Sequence, residues 1–172
     1  MIYLKKRLKK VRKNLEDIMK WFYICNDFKN EVQMMIKRNE LKNELIAAGI
    51  RPSVQRVAIF EYVRKSKAHP TAEVVHAALR DELGSLSLTT VYNTLKLFVD
   101  AGLILMLNID DTFRCFDGNI ATHAHLKCEE CGKIYDFQID ADCLRAIKGI
   151  ENYKITDMQI YLKGICPACK NN

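Results

Sequence analysis

Apolar residues recur at helical spacing through the first hundred positions and then change to strand spacing. Leu4, Leu8, Val11, Leu15, Ile18, Phe22 and Cys25 follow at intervals of three and four with Lys and Arg between them, which predicts one basic amphipathic helix. Met34 and Met35 come next, and either could start translation, so residues 1–34 read as a basic extension or an over-extended gene start. From Ile36 to Phe98 the period stays helical. "KRNELKNELIAAG" ends at Gly49, a natural C-cap. "RPSVQRVAIFEYVRKS" puts Val57, Phe60 and Val63 on one side. "HPTAEVVHAALRDELG" reads as a helix capped by Thr71, with Val74, Val75, Ala78 and Leu79 facing a core and Gly84 ending it. In "SLSLTTVYNTLKLFVDAG", Ser87 caps, Leu88, Val91, Leu95 and Phe98 form a buried stripe, and Gly102 stops the helix. Thr89, Tyr92, Asn93 and Lys96 share its opposite face.

After Gly102 the pattern predicts a β-hairpin from "LILMLN", a turn at "IDDT" and "FRCFD". Helices followed by such a hairpin are laid out as a winged helix-turn-helix. "AHLKC" and "GKIYDFQ" predict a second hairpin, "ADCLRAIKGI" a short helix, and "YKITDMQIYLKGIC" a strand. The fold class expected is therefore α+β, a winged helix-turn-helix followed by a small α+β domain.

Composition narrows this picture. With 172 residues, 49% hydrophobic and 28% charged, the chain can pack a core and is not of disordered type. It has no apolar run long enough to cross a bilayer and no secretory signal pattern, so the expectation is a cytoplasmic protein without a membrane partner. The net charge of +6 is unevenly spread. Residues 1–34 hold 9 Lys/Arg against 4 Asp/Glu, residues 35–100 hold 10 against 7, and residues 101–172 hold 8 against 10. A basic front half suits a polyanion, though weakly by itself.

Seven cysteines are many for a reducing compartment, and four form two Cys-x-x-Cys pairs: Cys128 with Cys131, and Cys166 with Cys169, 34 residues apart. Four thiolates at this spacing point to structural Zn2+, which contributes on the order of 10 kcal/mol to folding a small domain. The rival is a redox dithiol at "CPAC". Such dithiols sit where a helix begins after a strand, whereas Cys166 and Cys169 close the chain. Cys25, Cys115 and Cys143 are isolated, and Cys115 and Cys143 read as small core residues rather than chemical ones.

His123 and His125 are two apart on a predicted strand and share a face. If the first Cys pair turns the hairpin so that Cys128 faces Lys133, His125 lies opposite Asp136. Asp117, six residues before His123, can join from the end of the wing. That is a second, nitrogen- and oxygen-rich site; a surface histidine pair with ordinary charged neighbours is the plainer alternative. His76 reads as a structural helix residue. The face bearing Thr89, Tyr92, Asn93 and Lys96 is a candidate reader of base edges and phosphates in double-stranded DNA, or simply a solvated helix surface.

Taken in order, "RPSVQRVAIFEYV", "HPTAEVV", "LTTVYNTLKLFVDAGLI", "FRCFD", "HAHLKCEECGKIYDF" and "GICPAC" resemble the ferric-uptake-regulator family of bacterial metalloregulators, from about Ile36 to Lys170. The resemblance implies a dimeric repressor that binds operator DNA, with a winged-helix DNA-binding domain over 35–117, a hinge over 118–123 and a dimerisation domain over 124–172 stapled by a four-cysteine zinc site. It adds Arg51, Gln55, Arg56, Ser87 and Thr90 to the DNA-contacting set. The details are most similar to the peroxide-sensing branch, whose regulatory site corresponds to His69, Asp117, His123, His125 and Asp136. The iron-sensing branch usually carries "HHDH" where this chain has "THAH", Glu where it has Asp136, and Tyr-Arg where it has Tyr92-Asn93. "RPSVQR" departs from the usual "RxTPQR", with the proline moved to Pro52.

His69 enters only through this resemblance. A metal joining it and Asp117 to His123, His125 and Asp136 would fix the angle between domains, and so the spacing of two recognition helices in a dimer. A decisive shift of that kind takes roughly 5 kcal/mol of differential affinity. The ligand set suits Fe2+ or Mn2+. By likeness to the peroxide-sensing branch, peroxide would oxidise His69 or His123 in the iron-loaded site and release DNA; with manganese it would not. The rival within the family is an iron or zinc uptake regulator that reads metal level alone. A zinc-dependent or thiol-redox enzyme is a rival of another class, without support in the motifs.

Overall fold

The structure, a computed structural model, describes residues 32–109, 114–140 and 147–170. The basic helix expected from Leu4 to Cys25 lies outside the described residues, as does most of the 1–34 extension. So do Cys25, Cys143, most of the "IDDT" turn, and the first six residues of the short helix expected at 141–150.

The chain divides into two compact units, Met1–Arg51 and Pro52–Asn172. In the first, helix α1 runs over 32–47 and closes at Gly49, whose φ of 75° is readily open only to glycine. The Gly49 N–H donates to the Ile46 carbonyl, and the Ile50 N–H to that of Leu45, completing the C-cap expected there.

The second unit begins with three helices: α2 (Val54–Lys65), α3 (Ala72–Leu83) and α4 (Leu88–Asp100). Each is started by a hydroxyl that accepts the backbone N–H three residues on. Ser53 takes that of Arg56, Thr71 that of Val74, and Ser87 that of Thr90. Such a cap contributes about 1 kcal/mol. The helices pack on one another around Phe60 and Phe98, whose rings lie 5.3 Å apart, with Val57, Ile59, Val63, Val75 and Leu95.

The inward face of α3 corrects the sequence reading. Ala72, Val75 and Leu79 are buried, whereas Val74 is 48% exposed and Ala78 is exposed. Positions 72, 75 and 79 keep one helical stripe; 74 and 78 lie roughly a quarter-turn away. In α4, Leu88 is only half-buried in the first turn, and Thr94, passed over as polar, is buried instead.

The wing consists of β1 (Leu105–Leu107) and β2 (Cys115–Asp117), antiparallel with Met106 opposite Phe116. Beyond it lies a three-stranded sheet of order β4-β3-β5, formed by β3 (His123–Cys128), β4 (Ile134–Gln138) and β5 (Ile160–Gly164). A short α5 (Pro167–Lys170) follows. The β3–β4 hairpin adopts the register deduced from the cysteine turn, with His125 opposite Asp136 and the Cys128 N–H bonded to the Lys133 carbonyl. The strand expected over 153–166 is shorter than predicted. Only Ile160–Gly164 pairs, in parallel with Ala124–Cys128, because β3 offers no longer partner.

Candidate metal centre

The parallel pairing of β5 with β3 places both Cys-x-x-Cys pairs at the same sheet end. Cys128 lies opposite Gly164, and Cys166 follows two residues on with its N–H 3.3 Å from Cys128 Sγ. Gly132, at φ 71°, turns the first knuckle so that its N–H reaches the Cys128 carbonyl. The four sulfurs lie within 4.8 Å of one another, and Cys131 Sγ is 3.9 Å from Cys166 Sγ. A tetrahedron with metal–sulfur bonds of about 2.3 Å has edges near 3.8 Å, whereas a disulfide would be about 2.05 Å. The grouping fits zinc and not a bridged pair. Hydrogen bonds favour thiolate at two positions. The Tyr135 hydroxyl, followed by the Cys169 amide, pulls Cys166 down to about 6, and the Cys131 and Cys166 amides lower Cys128.

A second cluster forms where the wing, the helix approach and the sheet meet. His69, Asp117, His123 and His125 are all buried, with ligand-capable atoms within 4.8 Å of one another. Asp117 Oδ2 lies 2.9 Å from His123 Nε2, 3.4 Å from His125 Nε2 and 3.9 Å from His69 Nε2. Asp136 Oδ1 lies 2.8 Å from His69 Nε2, 3.7 Å from His125 Nε2 and 3.8 Å from His123 Nε2. All five residues of the sequence-derived set are thus together, with Asp136 the most open, at 38% side-chain exposure.

Their arrangement carries a signature beyond proximity. Despite these short distances, both ring nitrogens of His69, Nε2 of His123 and Nδ1 of His125 have no hydrogen-bond partner. A buried polar atom left in this state costs about 1–3 kcal/mol. The Nε2 atoms and the two carboxylate oxygens crowd one centre, where only His125 Nε2 makes a hydrogen bond, a long one of 3.4 Å to Asp117 Oδ2, while Nε2 of His69 and His123 stay unpartnered. Ligands about 2.1 Å from one ion would have neighbouring separations near 3 Å and opposite separations near 4 Å, the range observed. The charge state agrees. Burial, then the nearby His123, holds His125 below its ordinary value and leaves it neutral at pH 7, as a metal ligand must be.

Local structure explains how His69 arrives. Its φ of 49° is left-handed, uncommon for a residue other than glycine. Pairing of the next two residues with β2 keeps it there: the Phe116 N–H donates to the Pro70 carbonyl at 3.0 Å, and Thr71 bridges Cys115. His76, by contrast, is a structural residue whose Nε2 meets the Leu86 carbonyl at 3.0 Å. Cys115, expected in the core, is only half-buried at the wing edge, and burial pushes its thiol up.

The α4 face expected to read DNA is open to solvent. Thr89, Tyr92, Asn93 and Lys96 are exposed along α4. Gln55, Arg56, Thr90 and Asn93 line a cavity of about 410 Å³. Ser87 and Thr90 are partly engaged in the cap, their hydroxyls 2.8 Å apart. Arg51 is exposed in the first unit. Residues missed from sequence include Glu73, whose carboxylate accepts from the Tyr92 hydroxyl, and Tyr161, whose ring lies 5.9 Å from that of His125. Nothing in the spacing marks either. Asn119 was also missed, although Asp-x-Asn between strands is a turn signal.

A winged helix-turn-helix joined to a small sheet with a four-cysteine cluster defines the architecture of a metal-dependent transcriptional regulator. The chain belongs to the Ferric uptake regulator family, whose family model matches residues 47–163. It is similar to the peroxide-responsive repressor PerR of Staphylococcus aureus, at 36% identity over 126 residues, 72% of this chain and 85% of that protein. Among solved structures it is similar to the Vibrio cholerae ferric uptake regulator, with TM-score 0.60 and 28% identity over 73% of this chain and 98% of that one. It is also similar to the Pseudomonas aeruginosa ferric uptake regulator with manganese, with TM-score 0.61 and 27% identity over 73% and 97%. Membership places the chain among transcriptional regulators and not enzymes. No helix among the described residues is long and apolar enough to cross a membrane.

Proposed function

We propose that the protein is a dimeric, cytoplasmic repressor that binds operator DNA when metal-loaded and releases it when peroxide oxidises a histidine of the regulatory site. Cys128, Cys131, Cys166 and Cys169 hold a structural Zn2+. His69, Asp117, His123, His125 and Asp136 hold Fe2+ or Mn2+. The observation that carries this reading is the convergence of three buried imidazoles and two carboxylates with the facing nitrogens of His69 and His123 unpartnered. The likeness to a peroxide-responsive repressor supports the sensing half.

The chain's own residues divide the work. His69 precedes α3 and Asp117 ends the wing, while His123, His125 and Asp136 belong to the sheet. Holding one ion therefore ties the reader helices to the sheet. Fe2+ held there would let a peroxide deliver one oxygen atom to an imidazole carbon, leaving water, whereas Mn2+ would not. Cavities of about 330 Å³, lined by His123 and His125, and about 640 Å³, lined by Asp117 and Asp136, let a small oxidant approach. An imidazole at His69 or His123 that takes up oxygen is a poor ligand, and the tie is lost. Thr89, Tyr92, Asn93 and Lys96, with Arg51, Gln55, Arg56, Ser87 and Thr90, contact the DNA.

Operator binding measured with Fe2+ and with Mn2+, before and after peroxide, tests the reading. Loss of binding only in the iron-loaded, peroxide-treated sample supports it. The second reading, a regulator of metal uptake responding to metal level alone, is favoured by the likeness to ferric uptake regulators. It predicts binding that follows metal and ignores peroxide.

A further inference from the structure

The segment joining wing to sheet, residues 117–123, closes on itself through alternate residues. Asp117 Oδ1 accepts the Asn119 N–H at 2.8 Å. Asn119 Oδ1 accepts the Ala121 N–H at 3.1 Å. The Ala121 carbonyl lies 2.6 Å from His123 Nδ1, and since a carbonyl only accepts, Nδ1 carries the proton. His123 Nε2 then returns to within 2.9 Å of Asp117 Oδ2. The ring of contacts runs from one carboxylate oxygen of Asp117 to the other.

Two consequences follow for the cluster. Asp117 has Oδ1 committed to the backbone, so only Oδ2 faces the histidines. His123 has Nδ1 committed to a carbonyl, so Nε2 carries the bare lone pair. Both selections depend on where Asn119 and Ala121 hold the chain. Asn119 is itself exposed.

We propose that Asn119 is a positioning residue for the regulatory metal: its side-chain oxygen anchors Ala121 and through that carbonyl sets the His123 tautomer, while its backbone N–H holds Asp117 Oδ1 and leaves Oδ2 to face the ion. The proposal rests on the ligand assignment of the preceding section but is tested partly without metal. Partners one shell outside a metal's ligands change affinity by roughly 10- to 100-fold. Replacing an exposed turn residue belongs at the lower end, about tenfold.

The experiment uses the full chain with its zinc retained, in Asn119→Ala and Asn119→Ser forms. Nitrogen-15 NMR of the metal-free protein reads the His123 tautomer, and Mn2+ titration reads affinity. Asn119→Ala is expected to lose the pure Nδ1–H form and to bind Mn2+ about tenfold more weakly. Asn119→Ser keeps a short oxygen acceptor without adding charge, and is expected to restore both most of the way. The proposal is overturned if Asn119→Ala keeps the Nδ1–H tautomer, or if Ser and Ala variants are equally impaired. Should the wild-type chain take no Mn2+ at this cluster, the ligand assignment fails, and the tautomer comparison still decides the role of Asn119.

Discussion

Gly118 follows Asp117 directly and has a buried backbone pressed against the carboxyl-terminal end of α2. A Cβ added there would lie 2.6 Å from Arg64 Cα, 2.7 Å from the Val63 carbonyl oxygen and 2.9 Å from the Arg64 nitrogen, where ordinary contact begins near 3.4 Å. All three are backbone atoms of a helix whose Phe60 and Val63 are fully buried, so the helix cannot yield cheaply. The linking segment must back away instead, weakening the 3.0 Å bond from Arg64 Nη1 to the Gly118 carbonyl. Overpacking costs about 1–3 kcal/mol and the hydrogen bond about 1 kcal/mol, so Gly118→Ala is expected to destabilise by roughly 2–4 kcal/mol. Asp117 moves with its neighbour, so Mn2+ affinity should fall as well. Urea unfolding of the zinc-loaded variant, paired with Mn2+ titration, measures both. A stability change below about 0.5 kcal/mol, the scale of an ordinary surface substitution, with unchanged Mn2+ binding would refute this account of the contact.

Other expectations follow from the same geometry. Cys166→Ser removes one sulfur of the four-cysteine cluster and should abolish zinc retention and folding of the three-stranded sheet, read by elemental analysis and circular dichroism; a folded, zinc-loaded variant would contradict it. His125 is held below its ordinary value of 6.5 by burial and by His123. As pH falls through 6.5 the unfolded chain therefore takes up a proton before the folded one does. Metal-free protein should thus have this group's full contribution above pH 6.5 and lose stability below it, seen as a falling urea midpoint that flattens in His125→Gln. Asn93→Ala should weaken specific DNA binding by about 1–3 kcal/mol if Asn93 reads a base edge, and relax preference at one base pair in a binding-site screen.

Much of this centre was legible because short-range geometry is strongly coded. A Cys-x-x-Cys-Gly turn has few solutions, so it set the hairpin register and put His125 opposite Asp136. The parallel pairing of β5 with β3 was not legible, since residues 129–159 intervene and nothing local names the partner strand. His69 could not be placed by spacing at all. It reaches the cluster through a left-handed backbone and a bridge from Thr71 to Cys115, contacts formed only by the folded wing. Gly118 and Asn119 were not singled out within the hinge, because close approach and side-chain-to-backbone bonds leave no periodic trace. The misread face of α3 has a simpler cause: with Val74 and Val75 adjacent, composition cannot tell which one points inward.

Mass spectrometry of iron-loaded protein after a brief peroxide pulse, with operator binding followed in parallel, tests the central claim most directly. The account predicts a gain of one oxygen atom on His69 or His123, loss of DNA binding in proportion, and neither change in the manganese-loaded sample. Unmodified histidines together with peroxide-induced release of DNA, or oxidised histidines with DNA still bound, would contradict it.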